Sequence, residues 1–275
     1  MKLGKHTLPI GERTCIMGVL NVTPDSFSDG GRYADLDQAV EEALKMAANG
    51  ADIIDIGGES SRPGSRPVQA SEEIDRVVPV IEALAKKINV PLSVDTYKSE
   101  VARVALAGGA TIVNDIRALK GSVEMAGVIS EFNAGAVLMH MKGSPENMQE
   151  DLRYGDLFEE VSGYLAEAIV IAEDAGIDPE KIIIDPGIGF GKTLEHNLLL
   201  LRDLRKLKQL GKPILVGASR KSFIGSITDK DVTDRAFGTA ASVAVAIMNG
   251  ADIIRVHDVS EMSDVARVVD AITGA

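Results

Sequence analysis

Almost every apolar run in this chain ends on a side chain that can do chemistry. Asn21 follows CIMGVL, Asp55 and Glu59 follow ADII, Asp95 follows PLSV, and Asn114 and Asp115 follow ATIV. His140 closes GAVLM, Asp185 closes KIII, Ser219-Arg220-Lys221 follow KPILVGA, and Arg255 and His257 sit in ADIIRVH. Carboxylates and amides accept and donate hydrogen bonds along a polar edge, while arginine, lysine and histidine take the charge of an anion. Any one of these residues alone reads more readily as a helix cap or a solvated edge. Eight runs ending this way read as one site, provided the ends meet.

Two breakable stretches follow the first two runs: NVTPDSFSDGG (21–31) and GGESSRPGSRP (57–67), the second carrying Arg62 and Arg66. Long irregular connections in compact domains are functional or disordered, and two over one face suit a lid. Phe27 has little reason to sit in so polar a loop unless it closes over something flat. Rival motifs fail. PGIGFGKT (186–193) has Pro186 where a phosphate loop needs glycine and Lys192 where a dinucleotide fingerprint needs one. Its glycines 187, 189 and 191 are expected to let backbone approach a flat ligand beside Phe190. There is no H-x-x-x-H, no cysteine pair and no G-x-S-x-G.

The elements that must carry these residues alternate. Candidate strands are 14–21, 51–57, 91–96, 110–115, 135–140, 181–187, 212–219 and 251–257. Helical apolar spacing marks 36–50, 71–87, 156–176, 195–211 and 233–250. Ser71 and Asp156 are start signals, and Asn49-Gly50 is a stop. Strands apolar on both faces belong to a parallel sheet covered all round. An open doubly wound sheet is possible, but eight strand–helix units in 275 residues fit a closed (β/α)₈ barrel, one α/β domain over 1–275. The near-repeat NGADIIDI and NGADIIRV (49–56, 249–256) supports equivalent units.

Composition bounds the rest. With no tryptophan the core must be aliphatic, and the single cysteine, Cys15, excludes an internal disulfide framework. Lying in an apolar run, Cys15 is expected to be packing rather than a nucleophile. A net charge of −12 repels nucleic acid phosphates, so basic residues gathered on one rim are expected to meet a small anion. No run is long enough for a membrane span, and a cytoplasmic location is expected.

NVTPDSFSDGG, ESSRPGS, SVDTYK, VND, DPGIGFGK, GASRKSFIG and RVHDV, in this order, resemble the dihydropteroate synthase family over essentially the whole chain. The resemblance implies a TIM barrel that joins p-aminobenzoate to 6-hydroxymethyl-7,8-dihydropterin pyrophosphate, with Mg²⁺ as cofactor, acting as a homodimer. It implies that Asp185, Asp95 and Asn114 grip the pterin edge, Lys221 donates toward its carbonyl, and Met139 and Phe190 wall the ring. Arg62, Arg255 and His257 would hold the departing diphosphate, with Asn21 at the metal and Asp29 engaging the metal or Arg62. Phe27, Ser61, Pro63 and Ser222 would form the aminobenzoate pocket. Ser61 stands where the family usually has threonine, so a methyl contact is lost there. Two other readings share the barrel: a methyltransferase domain passing a methyl from methyltetrahydrofolate to a corrinoid, and an inactive pterin-binding paralogue. The first has no use for Arg62, Lys221 and Ser222 together, and the second need not keep diphosphate and arylamine residues at once.

Overall fold

The computed structural model describes residues 1–23, 32–62 and 64–274. A small antiparallel hairpin, β1 (Lys2–Leu3) and β2 (His6–Thr7), precedes eight parallel strands. These are β3 (Cys15–Asn21), β4 (Ile53–Gly57), β5 (Leu92–Asp95), β6 (Ile112–Asp115), β7 (Gly135–Met139), β8 (Ile182–Asp185), β9 (Leu215–Val216) and β10 (Ile253–Val256). Each pairs with its sequence neighbour, except that β8 meets the β9 segment through a single parallel bridge, Ile184 with Ile214. Because β10 also pairs with β3, the barrel is closed. Around it lie α1 (Arg32–Ala48), α2 (Ala70–Leu84), α3 (Ser99–Gly108), α4 (Met125–Glu131), α5 (Leu157–Asp174), α6 (Leu194–Arg202), α7 (Ser222–Thr228), α8 (Ala236–Met248) and α9 (Val259–Thr273).

Strand periodicity of two builds the interior in layers. Met17, Ile53, Ile112, Val137, Ile183, Leu215 and Ile253 fill the lower barrel together with Leu3 and Leu8 from the hairpin segment. Two residues further along six of these strands, on the same inward parity, stand Asp55, Asn114, Met139, Asp185, Gly217 and Arg255. An apolar plug therefore supports a polar layer. The opposite parity packs outward, where Ile54, Val113, Leu138, Ile184 and Ile254 join helix residues in the main core.

The repeated NGADII units do the same job. Asp52 accepts the Ile16 N–H at 2.9 Å and pairs with Arg13, while Asp252 accepts the Ile214 N–H at 2.7 Å and pairs with Lys208. Asp156 caps α5 by accepting the Glu159 N–H at 2.9 Å. Some expectations need correcting. Ser71 is not a cap: α2 begins at Ala70 behind Gln69, with no side-chain cap bond. The helix expected over 195–211 stops at Arg202, and Leu204–Leu210 continues as 3₁₀. Its leucines at 204, 207 and 210 recur every three residues, the 3₁₀ period. Nine α-helices rather than eight occur among the described residues, because α7 and α8 both lie between β9 and β10. The strand expected over 212–219 is reduced to Leu215–Val216, since Gly217 already belongs to the rim.

Candidate active site at the barrel rim

Strand register brings the polar ends side by side. Asn21 pairs with Gly57, Gly57 with Asp95, and Asp95 with Asn114, while Met139 pairs with Asp185. Eight of the expected site residues line one pocket: Ser61, Asp95, Asn114, Met139, Asp185, Phe190, Lys221 and Arg255, joined by Ile116, Ile188 and Gly217. The lining combines carboxylates, an amide and cations with Ile116, Met139, Ile188 and Phe190, a mixture that suits a flat ring with a hydrogen-bonding edge.

Arg255 is the internal tie. Its Nε donates to Asp55 at 2.6 Å and an Nη to Asp95 at 2.7 Å, and Asn114 Nδ2 donates to the same Asp55 oxygen at 2.9 Å. Asp55, 0% exposed, thus sits beneath the pocket and orients two of its members. Sequence reading noted Asp55 as a strand end without giving it a role. Its inward parity, two residues after Ile53, follows from the register of the closed sheet. Burial pushes the Asp95 carboxyl up to about 7, with Arg255 pulling the other way. Burial also raises Asp185 to about 6, opposed by the hydrogen bond its Oδ1 accepts from Gly187 N–H at 2.7 Å. Lys221, brought down to about 8 by burial and then by Arg255, holds its Nζ 3.9 Å from the Phe190 ring centre.

The other expected residues are placed differently. Asn21 ends β3, and its Oδ1 and Asp95 Oδ2 lie 3.9 and 3.7 Å from where a Gly57 side chain would begin. His257 hydrogen-bonds Ser219 at 2.9 Å through Nδ1, and is lowered to about 4 by burial and Arg255, so it is neutral at pH 7. Ser219 Oγ also accepts the His257 backbone N–H at 3.3 Å. Arg62 is exposed on the second loop, and Ser222 is the exposed first residue of α7. Neither Arg62, Ser222, Asn21 nor His257 is among the pocket-lining residues. Phe27, Asp29 and Pro63 fall outside the described residues.

Neighbouring residues on one strand part ways. Asn114 faces the pocket, whereas Asp115 turns outward to accept the N–H groups of Arg117 and Leu119, each at 2.8 Å. His140 also turns away from the pocket and contacts the buried Lys192 at 2.9 Å. Two glycines of PGIGFGKT are demanded by close packing against backbone. A Cβ on Gly187 (φ +69°) would lie 1.9 Å from the His140 carbonyl oxygen, and one on Gly191 (φ +62°) would lie 2.6 Å from that of Lys142. Gly189 instead faces Lys221. Cys15 is buried, its thiol pushed up to about 12, as packing requires.

The family described as pterin binding enzyme matches residues 17–257. A dihydropteroate synthase of Synechocystis is 47% identical over 273 residues, covering 99% of this chain and 94% of that one. A Clostridium difficile dihydropteroate synthase crystallised in the presence of pteroic acid superposes with a TM-score of 0.92 at 46% identity, covering 97% and 99% of the two chains. A Xanthomonas albilineans dihydropteroate synthase with 4-aminobenzoic acid gives 0.90 at 43% identity, covering 96% and 94%.

Proposed function

The chain belongs to the pterin-binding enzymes as a member of the dihydropteroate synthase family, and from that premise we propose how its rim performs the reaction. The arylamine nitrogen of p-aminobenzoate bonds to the exocyclic methylene of 6-hydroxymethyl-7,8-dihydropterin pyrophosphate. The methylene–oxygen bond breaks, diphosphate departs, and the nitrogen releases one proton. The observation that carries the reading is the convergence of Asp95, Asn114, Asp185 and Lys221 on one apolar-walled pocket.

Asp185 accepts from the 2-amino and ring N–H groups of the pterin, Asp95 and Asn114 complete that edge, and Lys221 donates to the carbonyl. Met139 and Phe190 clasp the ring. Arg255, held between Asp55 and Asp95, acts by orienting Asp95 while its charge faces the leaving diphosphate. Carboxylates beside the ring favour positive charge developing on the pterin as diphosphate leaves. Arg62 and His257 receive the diphosphate. The arylamine is neutral at pH 7, so attack needs no strong base. Phe27, Ser61, Pro63 and Ser222 enclose it, and Asp29 meets the metal or Arg62 on closure.

Among the described residues no cluster of three or more His, Cys, Asp or Glu could hold a metal ion. Magnesium needs no such cluster, because it binds substrate phosphates and waters with few protein ligands. The Asn21 amide oxygen, a hard donor close to Asp95 Oδ2, fits that role. Bound there, Mg²⁺ would neutralise charge on the departing diphosphate. We further propose a single domain over residues 1–275, a cytoplasmic location and a homodimer. Among the described residues no helix is long and apolar enough to cross a membrane. The dimer reading rests on the last two helices, where Phe237 is 91% exposed, Val268 59% and Ile272 75%.

The test is direct. Protein, Mg²⁺, the pterin pyrophosphate and p-aminobenzoate are mixed, and dihydropteroate and pyrophosphate are expected in equal amounts. Folded protein that forms neither would refute the reading.

A further inference from the structure

The second rim loop is held by a side chain to which the reaction above gives no role. Glu59 opens the loop with its side chain only 9% exposed. Its Oε2 accepts the N–H of Val68, at the loop's far end, at 3.0 Å. One carboxylate thus ties together two points nine residues apart. Its Oε1 accepts the Tyr97 hydroxyl at 2.8 Å, and Lys98 Nζ bonds Oε2 and reaches on to the buried Glu73 of α2. Burying these charges is costly unless each is paired and hydrogen-bonded, as Glu59 and Lys98 are.

The connections run toward the pocket. The Tyr97 ring packs on the cluster of Ile116, Met139, Met141, Met148 and Phe190, which includes the pocket's apolar walls. Ser61, two residues past Glu59, lines the same pocket. The rest of the loop is braced by Arg76, which donates to the Gly58 carbonyl at 2.7 Å, and by Gly64 N–H, which donates to the Pro145 carbonyl at 2.9 Å. Glu59 alone among these contacts joins both ends of the loop to a side chain that packs on the wall residues.

We propose that Glu59 is a positioning residue for the arylamine substrate: through Val68, Tyr97 and Lys98 it sets where the second loop holds Ser61, at the pterin pocket, and the exposed Arg62 next to it in the chain. This rests on the reading that Ser61 and Arg62 serve the aminobenzoate and diphosphate ends of the site. A loop free to sample other positions would still leave the pterin edge formed by Asp95, Asn114 and Asp185. Misplacement should therefore appear in use of the arylamine rather than in pterin binding.

The experiment uses Glu59→Gln in the full chain, measuring KM for p-aminobenzoate, kcat, and pterin affinity by calorimetry. Glutamine keeps the size but loses the charge: with its oxygen toward Val68 and Lys98, which share Oε2, the ion pair becomes a neutral bond and the NH₂ faces the Tyr97 hydroxyl, and turned the other way it loses both Oε2 partners. Loss of one such charge-assisted bond corresponds to roughly a tenfold effect. KM for p-aminobenzoate is expected to rise about tenfold, with pterin affinity within about twofold of wild type. Should Glu59→Gln fail to fold, Tyr97→Phe and Lys98→Met each remove one partner and are expected to raise the same KM about threefold. Unchanged KM in folded variants, with only the melting temperature lowered, overturns the proposal, and so does an equal loss of pterin affinity. Ser61→Ala and Arg62→Ala separate the two readings. If they impair turnover while Glu59→Gln does not, only the positioning role fails. If all three behave as wild type, the loop's part in catalysis fails and the positioning role with it.

Discussion

Replacing Asp185 by asparagine tests the pterin pocket with least disturbance. The side chain is buried, and its Oδ1 already accepts Gly187 N–H at 2.7 Å, a bond the amide oxygen of asparagine can keep. The other oxygen becomes an NH₂ facing the two N–H donors of the pterin. Hydrogen bonds to an ionised group contribute about 1.5–3 kcal/mol each. Losing two removes about 3–6 kcal/mol, or roughly two to four orders of magnitude in affinity. Calorimetric titration with the pterin substrate reads this directly, with circular dichroism as a check on folding. The pH dependence sharpens the test. Burial raises the Asp185 carboxyl to about 6, so in the free protein it takes up a proton as pH falls through that value. The pterin donors then meet an acid instead of an anion, and wild-type affinity is expected to fall between pH 7 and 5. Asp95, raised by burial to about 7, contributes to the same decline. In Asp185→Asn the decline is shallower. Affinity within threefold of wild type, or an unchanged pH profile in the variant, would refute the role given to Asp185.

Arg255→Met leaves the fully buried Asp55 with only Asn114 as a side-chain donor. Breaking a buried ion pair from one side costs about 3–5 kcal/mol, so urea unfolding should show a loss of that size; a change below about 1 kcal/mol would argue against the tie. Cys15 should resist a thiol reagent in the folded protein and react fully in denaturant, because burial and then Asp52 push its thiol up to about 12. Rapid modification of the native protein would contradict its place in the barrel. Phe237→Glu should convert a dimer to a monomer in sedimentation velocity, and an undisturbed dimer would exclude that surface from the interface.

Much of this protein is decided locally, and so could be read from the chain. Strand apolarity on both faces, the polar residue closing each run and the Asn-Gly stops are properties of a few consecutive residues, and they point to a barrel with one polar rim. The motifs carried the family likeness because they sit at those strand ends. What adjacency could not decide was which of two neighbouring polar residues faces inward. Asn114 enters the pocket and Asp115 caps a turn because parity is set by the register of the closed sheet. Nor could the chain alone reveal that Arg255 is bound to Asp55 and Asp95. These partners lie 200 and 160 residues away and meet only because the barrel closes. Local sequence sets a side chain's chemistry and its place along a strand; its partner is set by contacts between distant strands, which exist only in the folded barrel.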